Sequence, residues 1–217
     1  LTENKITFTL TSEDGDQGFP GNLRVQVNVE LTEDNQLIIQ YHGTSDAPTP
    51  VNLTNHTYFN LGENTCEALL LTLDSSHYLQ TNSSNIPTGE ILPVEDSPFE
   101  FRNEGVIGFN QQQLINTDPK NSQGFDNCMV LNTPSLDIPC AILTSKTNKI
   151  KMSLFTDQPA LQFYTGSYLN EQFHRYQGVC LEAQGYPDAI NVNHFPPITL
   201  MVGETYKREI VYQFELI

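Results

Sequence analysis

The chain predicts an all-β antiparallel sandwich, and three observations predict it. Apolar and polar residues alternate along short runs, Asp- and Asn-containing turns join neighbouring runs at hairpin spacing, and 13 Pro and 13 Gly lie largely between the runs, with no repeat, charge block or low-complexity tract. A length of 217 residues suits one domain over 1–217.

The elements follow in chain order. Residues 7–10 form a first short strand. Leu23, Val25, Val27, Val29 and Leu31 alternate with Arg24, Gln26, Asn28 and Glu30, which is the period of a strand with one buried face. Glu33, Asp34 and Asn35 supply a turn before the apolar pattern resumes over 37–41. The segment VNLTNHTYFNL (51–61) mixes β-branched and aromatic residues and reads as a strand. In that strand His56 shares a face with Thr54 and Tyr58, while Asn55, Thr57 and Phe59 point the other way. A polar, aromatic face fits either a surface that receives a polar ligand or a histidine held by local hydrogen bonds. Residues 68–73 form a further strand, and the Pro-, Asn- and Ser-rich stretches 75–99 and 185–197 read as long surface loops that could rim a cleft or serve as plain connections. The single helical candidate is 106–115. A second hairpin joins 141–144 to 150–155 through Thr147, Asn148 and Lys149, and strands at 161–165, 178–182 and 207–214 complete the series.

Ten Lys and Arg stand against 26 Asp and Glu, for a net charge of -16. That field repels phosphate backbones and anionic headgroups, which argues against nucleic acid and membrane surfaces as partners, and it is indifferent to an uncharged polyol. Cys66, Cys128, Cys140 and Cys180 lie far apart, with no CxxC and no metal-ligand spacing to His42, His56, His77, His174 or His194, so no metal site is read. Few, dispersed cysteines make a reducing compartment the default and a cytoplasmic location the expectation. No apolar run approaches the roughly 20 residues of a membrane span, and no basic-then-apolar signal opens the chain. Sequons at Asn52 and Asn55 fall inside the 51–61 segment, where a glycan would block the strand; a third is at Asn82.

Five ordered motifs, NLTNH within 51–61, GFDNCMVL (124–131), QPALQFYTGSYL (158–169), GVCLEAQGYPDAIN (178–191) and GETYKREIVYQF (203–214), resemble the aldose 1-epimerase (galactose mutarotase) family. The similarity runs over 7–214 and includes the GDQGFPGNLRVQVNVELTEDNQLIIQY opening and IPTGEI at 86–91. The resemblance implies the large, twisted two-sheet sandwich of that superfamily, with a sugar on its concave face. It also implies an isomerase of carbohydrate metabolism that interconverts the anomers of hexoses such as glucose or galactose without a cofactor.

Mutarotation needs a base for the anomeric hydroxyl proton and an acid for the ring oxygen, with the roles exchanged on closure. Glu182 follows an apolar run that reads as a buried strand, so its carboxylate is desolvated and more basic than in water; the alternative is a strand-end glutamate in a salt bridge. By resemblance Glu182 is the family's catalytic glutamate and His56 its general-acid histidine. Asp126 resembles the aspartate that accepts hydrogen bonds from sugar hydroxyls, Gln162 a substrate-contacting glutamine, and Tyr58 could pack on the pyranose. Gln184 shares the Glu182 face, Phe163 points opposite to Gln162 and belongs to the core, and Asn127 stands where the family more often has histidine.

Family members are longer at the amino end, where a histidine and an arginine contact substrate. The chain is therefore expected to be a carboxyl-terminal part, about two-thirds of the family domain, that lacks amino-terminal strands. Open strand edges and apolar faces would then drive association with a complementary amino-terminal chain or with a second copy. Two other readings are a sugar-binding or regulatory module that has lost turnover, and a structural part of a larger sugar enzyme.

Overall fold

The structure, a computed structural model, describes residues 4–118 and 123–217. In chain order its strands are β1 (Lys5–Ser12), β2 (Leu23–Leu31), β3 (Gln36–Ser45), β4 (Thr49–Pro50), β5 (Tyr58–Phe59), β6 (Leu70–Leu73), β7 (Ser75–Thr81) and β8 (Pro87–Pro93). After β9 (Gly105–Val106) and the helix α1 (Ile107–Thr117) come β10 (Asp126–Leu131), β11 (Ala141–Ser145), β12 (Ile150–Thr156), β13 (Ala160–Tyr164), β14 (Val179–Gln184), β15 (Thr199–Leu200) and β16 (Tyr206–Leu216).

These strands build two main antiparallel sheets. The larger has the order β1-β2-β3-β16-β12-β11-β6-β9, the smaller β5-β14-β13-β10-β7-β8, and β15 pairs with β4 alone. One core lies between the two sheets. Ile39, Leu71, Leu143, Met152, Ile210 and Tyr212 enter it from the larger sheet, and Met129, Leu161, Phe163, Val179, Leu181 and Ala183 from the smaller. Across the gap the Tyr212 hydroxyl donates to the Leu181 carbonyl at 3.3 Å, and Phe59 meets Tyr212 with ring centroids 5.0 Å apart. Phe125 stacks on Phe163 at 4.7 Å, and Phe101 meets Phe163 edge-on at 5.6 Å; pairs of this kind add about 0.5–1.5 kcal/mol beyond burial. The expected all-β sandwich is thus the observed architecture, and Phe163 lies in its core as the alternation requires.

Both expected hairpins form. Asn35 and Lys149 take positive φ, 59° and 56°, at the turns between β2 and β3 and between β11 and β12. The sequence reading leaves out β10 and the two-residue strands β4, β9 and β15, and two further segments differ from it. Residues 51–61 are not a continuous strand: only Tyr58–Phe59 pairs, against β14. Contacts distant in the chain hold the segment in place of a ladder. Asn52 exchanges two hydrogen bonds with the Gly185 backbone, at 3.1 and 2.7 Å, and the Leu53 amide donates to the Tyr206 hydroxyl at 3.2 Å. The stretch 75–99 is largely a hairpin, β7 with β8, rather than a loop. Pro87 and Pro93 obscure it, yet they terminate β8, which is an edge strand where proline forfeits no ladder bond. The helix α1, which starts one residue later than expected and ends two later, buries Ile107, Gln111 and Leu114. Among the described residues no helix is long and apolar enough to cross a membrane.

On the smaller sheet, the face away from the core carries the alternate residues of each strand, and a second cluster of Leu79, Cys128, Ala160, Tyr186, Ala189 and Phe195 covers one end of it. The loop after β14 is therefore a packed cap over half of that face. The other half stays open.

Leu143 has no exposed surface and stands in register between Met152 and Leu71. Leu143→Ala is expected to cost about 2–5 kcal/mol in urea unfolding. A loss within about 0.5 kcal/mol, the range of a surface substitution, would show that the layer is not packed as described.

Candidate active site

The open half of that face gathers the polar residues of the smaller sheet. Along β14 the two-residue period sends Val179, Leu181 and Ala183 into the core and Cys180, Glu182 and Gln184 to the opposite face. Register then sets the neighbours: Gln162 of β13 lies opposite Glu182, Tyr164 opposite Cys180, and Asp126 of β10 opposite Tyr164. Tyr58 of β5 pairs with Cys180 from the other side. Gly178 permits this approach, because a Cβ there would meet the Tyr58 Cβ at 2.9 Å.

His56 lies just before β5, and its ring reaches over β14. Its Nε2 is 3.3 Å from Glu182 Oε1 and its Nδ1 is 3.3 Å from Cys180 Sγ. The two partners differ in exposure: the His56 side chain is 53% accessible and that of Glu182 9%. A half-exposed imidazole thus covers a buried carboxylate. Beside them Gln162 donates from Nε2 to Asp126 Oδ1 at 2.7 Å. The amide must face this way, since the reverse would set two acceptors against each other. Gln162 Oε1 is then buried without a hydrogen-bond partner among the described residues. An unpaired buried acceptor costs about 1–3 kcal/mol, so the position calls for a donor such as a hydroxyl. Asn85, in the turn between β7 and β8, donates to Asp126 Oδ2 at 3.5 Å. Aromatic rings wall the space: His56 to Tyr58 is 5.2 Å between centroids, His56 to Tyr164 6.1 Å, and Tyr58 to Tyr164 6.2 Å.

Burial pushes the Glu182 carboxyl above its ordinary range; the nearby His56 opposes this and Asp126 reinforces it. Burial likewise raises Asp126, against the Gln162 hydrogen bond and His56. A base of raised affinity for protons beside an imidazole is suited to proton transfer near neutrality. His56, Cys180 and Glu182 also offer a nitrogen, a sulfur and an oxygen within 4.8 Å of one another, donor types that suit zinc. Both imidazole nitrogens, however, are already turned to a neighbour at 3.3 Å, so neither is a free ligand atom in this arrangement.

Glu182, His56, Asp126, Gln162 and Tyr58 all come together in this one site. Gln184 lies on the same face but one residue pair nearer the packed cap, opposite Ala160. Asn127 is turned the other way and buried, its Oδ1 accepting the Asp126 amide at 3.2 Å. Sequence reasoning missed Cys180, Tyr164 and Asn85. The first two carried a usable signal, since each is two residues from a chosen one, Glu182 and Gln162, on a strand. Asn85 carried none, because its hairpin was read as a loop.

The aldose 1-epimerase family matches residues 1–213. The chain is 33% identical to the galactose mutarotase of Homo sapiens, covering 100% of this chain and 64% of that protein. It is 34% identical to the aldose 1-epimerase of Escherichia coli K12, covering 98% and 64%. The chain therefore spans 64% of the length of these relatives. The crystal structure of galactose 1-epimerase from Lactobacillus acidophilus superposes with a TM-score of 0.87 at 32% identity, over 100% of this chain and 64% of that one. The aldose epimerase homologue from C. elegans gives 0.89 at 26%, over 100% and 67%.

The burial of Glu182 fixes the sign of a stability effect. A carboxyl raised in the folded state favours its protonated form there, so its ionisation costs stability above the folded value and nothing below the unfolded one. Glu182→Gln is expected to raise Tm at neutral pH, with the gain fading as pH falls below the ordinary glutamate range. Calorimetry across pH tests this; an unchanged or lower Tm at neutral pH would mean that the His56 contact outweighs burial.

Proposed function

Because the chain belongs to the aldose 1-epimerase family, we propose that it is a mutarotase, interconverting the α and β anomers of a hexose such as glucose or galactose in carbohydrate metabolism. The observation that carries this reading is the 3.3 Å approach of the half-exposed His56 imidazole to the buried Glu182 carboxylate. Glu182 takes the proton of the anomeric hydroxyl while His56, as imidazolium, gives its Nε2 proton to the ring oxygen. The bond from C1 to the ring oxygen breaks and a carbonyl forms at C1. After rotation about the C1–C2 bond the ring closes on the other face, Glu182 returning its proton and His56 recovering the one it gave. Sugar entry separates the acid from the base: the half-exposed imidazole pivots about its Nδ1 contact with Cys180 while Glu182 stays fixed on β14, a side-chain adjustment of the kind common on binding. Asp126 accepts from sugar hydroxyls, the unpaired Gln162 Oε1 accepts another, and Tyr58 and Tyr164 pack against the apolar face of the pyranose. The reaction asks only proton transfers of the protein and needs no cofactor.

A second reading, sugar binding without turnover, uses the same site, because a small misplacement of its acid and base can cost about 10²-fold in rate. A complementary chain or self-association is supported by an edge of the larger sheet. On edge strand β1, Ile6, Phe8 and Leu10 are 51%, 56% and 67% exposed. In register they stand beside Val29, Val27 and Val25, and Val27 and Val29 pack on the core, so the apolar face of the larger sheet continues past its cover. A reducing compartment such as the cytoplasm suits the four buried, unpaired thiols.

Polarimetry on freshly dissolved α-glucose or α-galactose tests catalysis. Glu182→Ala and His56→Ala are each expected to lower kcat by about 10²–10⁴-fold, while Gln162→Ala chiefly raises KM. Rates at the parental level in either of the first two variants would remove the mechanism. Binding of sugar with no acceleration by the parent protein, in its intact assembly, would select the second reading. For association, light scattering behind size-exclusion is expected to report a complex that Phe8→Lys with Leu10→Lys weakens; a cooperatively melting monomer would refute it.

A further inference from the structure

The two nitrogens of His56 have different neighbours, and only one of those neighbours belongs to the acid–base pair. Nε2 faces Glu182, while Nδ1 lies 3.3 Å from the sulfur of Cys180. A histidine that works through Nε2 commonly has Nδ1 held by a carbonyl or carboxylate, groups that accept and never donate. Here a thiol fills the place, and a thiol can do both.

Resting on the mutarotase reading, we propose that Cys180 is a positioning residue that anchors the His56 ring through Nδ1 in each of its protonation states. When the ring is imidazolium, the sulfur accepts Nδ1–H. When it is neutral with its proton on Nε2 towards Glu182, S–H donates to the bare Nδ1. During ring opening the Nε2 proton passes to the sugar oxygen, and the proton that stays on the ring sits on Nδ1, against the sulfur. No covalent bond to Cys180 forms or breaks.

Three observations support the assignment. Cys180 and Glu182 are two residues apart on β14, so they share a face, and their sulfur and carboxylate lie within 4.8 Å of each other, close enough for one imidazole to touch both. The anchor itself is rigid: Cys180 has no exposed surface and is paired on both sides, with Tyr164 and with Tyr58. The thiol also keeps its proton, because burial and the neighbouring Glu182 push its titration far up. A carboxylate in its place would stabilise the imidazolium and hold back the proton that His56 has to give.

Cys180→Ser, Cys180→Val and Cys180→Ala separate anchoring from packing. Serine retains a group that both accepts and donates; valine retains bulk without polarity. Anchoring predicts that Ser keeps kcat within a few-fold of the parent while Val and Ala lose about ten- to a hundred-fold with KM little changed. In 15N-edited NMR the His56 Nδ1 resonance should move in the Val and Ala variants and stay close to the parental position in Ser. Activity retained by Val and lost by Ser, or parental kcat and parental Nδ1 shifts in Val and Ala, would overturn the proposal. A parent without mutarotase activity but with a Nδ1 resonance that responds to Val and not to Ser would remove the function and leave the anchor standing.

Discussion

A carboxylate held out of water on a strand whose other face is core is the constraint on which this site depends. Glu182 cannot be relocated without moving Val179, Leu181 and Ala183, which are fully or almost fully buried between the sheets. The same strand is bonded on both sides, to β13 and to β5. Core packing, which resists even small volume changes, thereby becomes positional precision at the opposite face. The energetic tension is local: an ionised carboxylate loses hydration and recovers part of it from His56, with Asp126 working against it.

Register extends the constraint to the neighbours. Gln162 and Asp126 are placed by β13 and β10, and their hydrogen bond takes one amide N–H while the amide carbonyl stays buried and unpaired among the described residues. A site with a buried carboxylate, a second carboxylate and an open carbonyl oxygen is rich in acceptors. Its complement is a ligand rich in donors, and a polyol is such a ligand. The net charge of -16 does not hinder this, because an uncharged sugar feels no net force from that field. The cap formed by Tyr186, Ala189 and Phe195 closes the same face further along, confining the polar opening to the His56 end.

Sequence reading reached most of the strands because one-sided burial writes an alternation into the residues. Leu23–Leu31 shows it plainly, and β2 has those same bounds. It failed where backbone partners come from elsewhere. In 51–57 the segment is held by the Asn52 side chain on the Gly185 backbone and by the Leu53 amide on the Tyr206 hydroxyl, partners more than a hundred positions away, so local composition suggested a ladder that does not form. In 75–99, prolines at the ends of an edge strand concealed a ladder that does form. Cys180 and Tyr164 were within reach of the two-residue period, but the motif reading drew attention to Glu182 and Gln162 alone.

By itself the sequence determined the all-β class, both tight hairpins, the alternation of β14 and, through resemblance, the five residues that gather at the site. Only the tertiary structure decided that His56 rests on Glu182 with its other nitrogen on a thiol, and that Gln162 turns its amide nitrogen to Asp126. The apolar face of β1 running past its cover was also invisible in one dimension. The reason is the range of the forces involved. Alternation and turn chemistry act between near neighbours in the chain and leave their mark on composition. The contacts of the site join positions 124 and 36 residues apart, set by register and close packing.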